Sequence, residues 1–164
     1  MSWQIQIIRA KPNPAGKDRS ASGASHTQLL GEWVDLKNIG DAAVNVSTLH
    51  LAHREYDDHC RPTKSSPTIY WDGSGSDILH PGKVLRVHTG HRSQMTQMNP
   101  SDAVGAELHS YADRSNFVLN NKCGDEISVW WKTSAGEWTK EDAASYDPNP
   151  REGAVLVRSG QKLV

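Results

Sequence analysis

The run HLAHREYDDHC gathers His50, His53, Asp57, Asp58, His59 and Cys60. Imidazole nitrogen, thiolate and carboxylate are the donors a zinc or copper ion takes, three or four at a time. A metal site built from His50, His53, His59 and Cys60 is therefore the first chemistry to weigh, for a small metal-binding protein or a metal-dependent enzyme. The spacing argues against it. Neither C-x2-C nor H-x3-H occurs, and on a strand His50 and His53 point to opposite faces. Surface histidines in a polar loop are the simpler reading.

A second candidate lies in WDGSGSD, where Asp72-Gly73-Ser74-Gly75-Ser76 spells D-x-S-x-S. Such a loop holds magnesium at the end of a buried parallel strand that leads into a helix, with further ligands from other loops. Here the run passes through Asp77 into Ile78-Leu79-His80-Pro81-Gly82, and no helical periodicity follows. Two glycines and two serines between strands describe a connector. Weak calcium binding by Asp72 and Asp77, or weak zinc binding at the histidine run, is the residual metal chemistry; no cofactor is expected.

The carboxylates Glu32 and Asp35 stand three apart on a strand-like segment, hence on opposite faces, and cannot work as an acid/base pair without help from another strand. A solvated or turn-bonding role is expected for both. No G-x-S-x-G, P-loop, G-x-G-x-x-G or H-E-x-x-H occurs. A nucleophilic Cys60 or Cys123 with His109 and Asp113 has no spacing behind it, and with no export signal in the N-terminal sequence both cysteines read as free thiols in a cytoplasmic protein.

Arg9, Lys11, Lys17 and Arg19 in the loop at 9–19 could touch phosphate. Against that, the chain of 164 residues carries 18 Lys plus Arg and 19 Asp plus Glu, a net charge of -1. Up to Gly82 the balance is eight against nine, and beyond it ten against ten. A nucleic-acid binder needs a positive stripe to displace counterions, and neither half supplies one. Six tryptophans are more than one core consumes. Trp130 and Trp131 are adjacent, so on a strand they point to opposite faces, and Trp33 is out of phase with Val34 and Leu36. Trp33, Trp130 and Trp131 are therefore the candidate anchors for a partner.

The elements that must hold these residues read as strands. Trp3, Ile5 and Ile7, then Val34 and Leu36, then Ile127, Val129 and Trp131 alternate with polar neighbours. Shorter candidates are 43–46, 49–53, 68–71, 84–88 and 154–158, separated by Gly, Pro and Asp turns. Many short strands at this spacing predict an antiparallel sandwich or barrel. Ser101 to Ala112 predicts one short helix in a long crossover loop, with Val104, Leu108 and Tyr111 on one face. No stretch is apolar enough to span a membrane, and the length suits a single domain.

Four blocks carry a family resemblance: KPNPAGKD at 11–18, GEWVDLKNIGDAAVNVS at 31–47, ILHPGKVLRVHTG at 78–90 and FVLNNKCGDEISVWW at 117–131. In order and spacing the chain resembles the bacterial form of the lamin tail domain. The resemblance implies an immunoglobulin-like β-sandwich and a noncatalytic interaction module. The sequence departs from that family at Thr48-Leu49, where a Gly-Trp is usual, and in a longer segment, 91–116. The expected function is recognition of a protein partner in trans, or self-association, through edge strands, loops or exposed tryptophan. The metal reading is the alternative and nucleic-acid binding through 9–19 the third.

Overall fold

The computed structural model describes residues 2–16, 19–20 and 23–164. In chain order its elements are β1 (Ile5–Lys11), β2 (Arg19–Ser20), β3 (Gly23–Ala24), α1 (His26–Gly31), β4 (Trp33–Asn38), β5 (Val44–Asn45), β6 (His50–His53), β7 (Thr68–Asp72) and β8 (Ile78–Leu79). They continue with β9 (Val84–His88), β10 (Leu108–Tyr111), β11 (Asp125–Lys132), β12 (Trp138–Tyr146), β13 (Leu156–Ser159) and β14 (Lys162–Leu163). The chain is mostly β. Ten strands form one sheet in the order β10-β9-β4-β1-β13-β14-β12-β11-β6-β7.

That sheet curls until its ends nearly meet. The Trp71 Nε1–H donates to Ser110 Oγ at 3.0 Å, and the Arg114 guanidinium donates twice to the Tyr70 carbonyl, at 3.1 and 2.8 Å. β7 and β10 thus face each other across a seam closed by side chains. At the opposite side β1 pairs with β13 only at Arg9 and Ala10. Beyond that point carboxylates of β12 take the free β1 amides, Glu141 that of Ile5 and Asp142 that of Ile7. Between the two halves lies the core, with Ile5, Ile7, Val34, Leu36, Leu85 and Val87 against Leu51, Trp71, Ile127, Val129, Ala144 and Tyr146.

Pairing is mixed, not purely antiparallel: β10 runs parallel to β9, and β14 parallel to β12. The helix predicted over 101–112 does not form. Pro100–Asp102 makes one 3-10 turn, Gly105 takes φ +102°, and Leu108–Tyr111 is an extended edge strand. Val104 is 69 % exposed while Leu108 packs against the core from the edge strand, so the expected apolar face is split between solvent and core. The short helix is α1 instead, six residues that bury Leu29 and Leu30.

Glycine and asparagine shape the turns where the chain doubles back. Asn38 accepts from the Gly40 amide and donates to the carbonyls of Ala42 and Leu79. A Cβ on Gly40 would stand 2.4 Å from the Ser2 carbonyl, so only glycine fits there. Asn120 Oδ1 caps the Cys123 amide, and Gly124 at φ +71° presses on the Tyr146 carbonyl.

Cys60 and Cys123 are joined in a disulfide, which corrects the expectation of free thiols. Their Cα atoms are 5.3 Å apart because the turn at 120–124 meets the loop that follows β6. Sequence separation hid the pairing: the two cysteines stand 63 positions apart. No helix among the described residues is long and apolar enough to cross a membrane.

Candidate functional site

Three outward positions on neighbouring strands form a charged row. Arg9 of β1, Asp35 of β4 and Arg86 of β9 are cross-strand partners, and His109 of β10 continues the row. A bulge at Ile8 puts Arg9 there: it shifts the alternation of β1, so that Ala10 turns inward and Arg9 and Lys11 turn outward. Arg86 donates to both Asp35 oxygens, at 2.7 and 2.9 Å, and Arg9 adds a third bond at 2.9 Å. The row beside it holds Lys11, Trp33, His88 and Tyr111.

The segment 91–107 lies over both rows. Asp102 accepts from Lys11 Nζ at 2.7 Å and from Trp33 Nε1 at 2.9 Å, while the carbonyls of Asp102 and Val104 take the outer end of Arg86. Arg86 is stacked 3.6 Å from the centre of the Trp33 ring. Glu32 and Asp35 are therefore not solvated, as expected, but fully buried. Asp35 anchors the charged row. Glu32, on the opposite face, accepts from the Thr89 hydroxyl and from the amides of Val118 and Leu119, and so ties the loop before β11 to the end of β9.

His88 and His109 share a hydrogen bond of 2.8 Å. His88 Nδ1 also meets the Leu30 carbonyl at 2.7 Å, and a carbonyl can only accept. The proton of neutral His88 thus sits on Nδ1, and its Nε2 accepts from His109 Nδ1–H. Burial pushes His88 down to about 4, and burial with the neighbouring Arg86 lowers His109. This is a neutral structural relay under a covering segment.

Burial pushes the Glu32 carboxyl up to about 7, against the pull of its three donors. A raised carboxyl contributes stability that is complete below its ordinary value of 4.5 and lost as pH rises through 7. A depressed histidine does the reverse: its contribution is complete above 6.5 and lost as pH falls through 4. Each is worth about 3 kcal/mol over its window, so between pH 4 and 7 the two hold stability nearly level. In Glu32→Gln the histidine slope is left alone. Denaturant titrations are expected to show the variant gaining about 3 kcal/mol relative to the wild type from pH 4 to pH 7. Parallel curves for the two proteins would remove this role for Glu32.

The residues picked out for metal binding are dispersed. His50 Nδ1 pairs with Asp72 at 2.6 Å on the outer face, whereas His53 turns inward to Asp125 at 3.1 Å. His59 is exposed in a turn, and Cys60 is held in the disulfide. The disulfide also takes the thiol from any Cys-His-Asp arrangement, and Asp113 accepts from the Arg92 amide instead. Among the described residues no three His, Cys, Asp or Glu side chains converge as a metal would require. Gly73 packs against the Val46 carbonyl and donates to that of Leu49, so the D-x-S-x-S run is a connector from β7 to β8. Asp77 offers its backbone carbonyl to Val46.

Of the phosphate candidates, Arg9 and Lys11 are already paired with Asp35 and Asp102. Lys17 lies outside the described residues, as does the side chain of Arg19. Of the three tryptophans, Trp33 is 3 % exposed beneath Arg86, which withdraws it from any surface role. Trp131 is half-buried and packs edge-on against Trp3 at 5.6 Å.

Trp130 is the one that opens to a cavity. With Ser66, Pro67, Ile69 and Trp138 it lines a groove of about 240 Å³ on the outer face of β7, β6, β11 and β12. Its Nε1–H donates to Ser128 Oγ at 2.8 Å, which fixes the ring. Trp138 is 44 % exposed, edge-on to the His50 ring at 4.8 Å. Lys132 Nζ stands 4.7 Å from the centre of the Trp138 ring and Lys140 Nζ 5.9 Å from that of Trp130. Trp138 was missed from sequence although the signal existed. The Ser134-Ala135-Gly136 turn makes β11 and β12 a hairpin, and the register sets Trp138 opposite Lys132, two residues from Trp130 and so on the same face. No protein-family model matches the chain, and no curated protein matches its sequence.

Proposed function

We propose that the chain is a noncatalytic binding module of the lamin-tail type, an immunoglobulin-like sandwich that recognises its ligand through the Trp130–Trp138 groove. The two facing halves of the sheet support the architecture, as do the structural duties of the motif residues Glu32, Asn38, Gly40, Asn120 and Gly124. One observation carries the function. The buried charged groups are satisfied by one another or by backbone, whereas two indoles stand beside an open groove. Recognition by strand addition has little to use, since the ends of the large sheet meet at the Arg114 seam. The Cys60–Cys123 bond favours an oxidising compartment over the cytoplasm.

The test is capture on immobilised protein from lysate and culture medium of the source organism, with both proteins and released sugars read out. Wild type and a folded Trp130→Ala/Trp138→Ala variant are compared. A ligand retained by the wild type and reduced at least about tenfold on the variant is expected, given the usual share of aromatic anchors in binding energy. Identical retention by both proteins would exclude the groove as the recognition surface.

A further inference from the structure

We infer that the groove takes a neutral, hydroxyl-rich glycan chain whose sugar rings stack on Trp138 and Trp130. The inference rests on the binding-module reading and names its ligand class. Three features of the groove converge on it.

The first is the apolar lining. Ile69, Pro67 and the two indoles present flat hydrocarbon surface, and a groove of about 240 Å³ sits below the roughly 300–1,000 Å³ of sites that enclose drug-sized ligands. A chain passing over it leaves one or two rings in contact. The C–H face of a pyranose is apolar and meets the electron-rich face of an indole favourably, as a cation does more strongly. Trp130 Nε1–H is already satisfied by Ser128, so its ring asks nothing of the ligand but stacking.

The second is the rim. Register places His50 of β6 beside Trp130 and beside Asp72 of β7, so the His50–Asp72 pair borders the indoles. The Asp72 side chain is 73 % exposed and can accept from ligand hydroxyls. Lys132 and Lys140 lie over the Trp138 and Trp130 rings, so a sugar takes the other face of the indole or displaces the ammonium, which then donates to its hydroxyls from the rim. A rim carrying both signs matches hydroxyls, which donate and accept in turn, better than a phosphate or carboxylate chain, which Asp72 would repel.

The third is the strand beside the groove. β7 ends the large sheet, but its Tyr70 carbonyl is occupied by Arg114, so an extended peptide cannot continue the backbone ladder there. A ligand without a peptide backbone loses nothing by this. The groove wall at Ser66 and Pro67 belongs to the loop that the Cys60–Cys123 bond ties down, which holds the lining in place before the ligand arrives.

The experiment is native affinity electrophoresis of the oxidised full chain in gels cast with hydroxyethylcellulose, xylan, galactomannan or glycol chitin. Alginate and a twelve-nucleotide oligothymidylate are tested as anionic probes. Retardation by at least one of the four neutral polymers is expected, weakened at least tenfold in Trp138→Ala and only partly in Trp138→Tyr. The far-ultraviolet circular dichroism and denaturation midpoint of both variants should match the wild type, with Trp130→Ala as a second folded variant if Trp138→Ala does not. Retardation by no neutral polymer, by the anionic probes alone, or to the same extent in Trp138→Ala and Trp130→Ala overturns the inference. A blank neutral-polymer set together with a tryptophan-dependent protein in the capture experiment above would sink the glycan assignment and leave the binding module standing. Loss of both results would sink the two together.

Discussion

Asp35→Ala is expected to cost the fold about 3–5 kcal/mol, because it leaves the Arg86 guanidinium buried without a counter-charge. Both partners are hidden, with side chains 3 % and 0 % exposed, and the two bonds between them measure 2.7 and 2.9 Å. Water cannot replace the lost carboxylate, since Trp33 covers one face of Arg86 and the segment 91–107 closes its outer end. Arg9 is a control within the same network. Its side chain is 32 % exposed, so Arg9→Ala should cost about 1 kcal/mol or less, the usual value of a wet ion pair. Denaturant titration of the two variants against wild type makes the comparison. A loss below about 1 kcal/mol for Asp35→Ala would show that the buried pair is not the clamp on the 91–107 segment. Asp35→Ala should also raise amide exchange in that segment before it does so in β11, because Asp35 holds Arg86, which ties the segment to the sheet alongside the bonds of Lys11 and Trp33 to Asp102.

Reducing the Cys60–Cys123 bond is expected to remove about 4 kcal/mol, the chain entropy of a closed loop of some 60 residues. Arg54 ties the start of that loop to Asp125 and Glu126 of β11, and Glu55 accepts from Thr68 of β7, but the bonds described between these anchors and the tip are mostly local. Asp57 bonds Arg61 and the His59 amide, Glu55 bonds Lys64, and Arg54 bonds the Ser65 carbonyl, all within the loop, while Lys122 reaches the Asp58 carbonyl. The loop should therefore loosen first, and the groove wall at Ser66 and Pro67 with it. Peptide mapping without reductant should yield a 60–123 cross-linked pair, and denaturation with and without reductant should give separated midpoints. Two thiols that react with a thiol reagent in the native protein, or coincident midpoints, would contradict the bond. Cys60→Ser should reproduce the reduced midpoint.

The two experiments touch opposite faces of the molecule, and both bear on how the groove is held. The charged row secures the 91–107 cover on β1, β4 and β9, while Arg114, a few residues further on, closes the seam beside β7. The disulfide secures the other flank. Glu32 joins them by fixing the strand ends to the loop that leads to the Asn120–Gly124 turn.

Much of this was legible locally. Alternation located β1, β4 and β11, because a half-buried strand must show period two, and turn residues bounded the shorter runs that became β5, β6, β7, β9 and β13. Turn chemistry at Asn38-Ile39-Gly40 and Asn120 to Gly124 was readable for the same reason: glycine and asparagine there answer to nearby backbone. β12 escaped, although it is the longest strand, since Glu141 and Asp142 interrupt its alternation to bond β1 amides. β10 escaped because a four-residue edge strand shows periodicity only once β9 is beside it.

What the chain determined by itself is therefore its β character, its turns and the presence of more indole than a core needs. Register decided the rest. A bulge at Ile8 turned Arg9 and Lys11 outward into Asp35 and Asp102, burial converted Glu32 and Asp35 from surface carboxylates into anchors, and folding brought Cys60 to Cys123 across 63 residues. The same pairings placed Trp33 under Arg86 and set Trp138 beside Trp130. Such outcomes depend on contacts between residues far apart in sequence, and no local pattern of residue types carries the free energy that selects them.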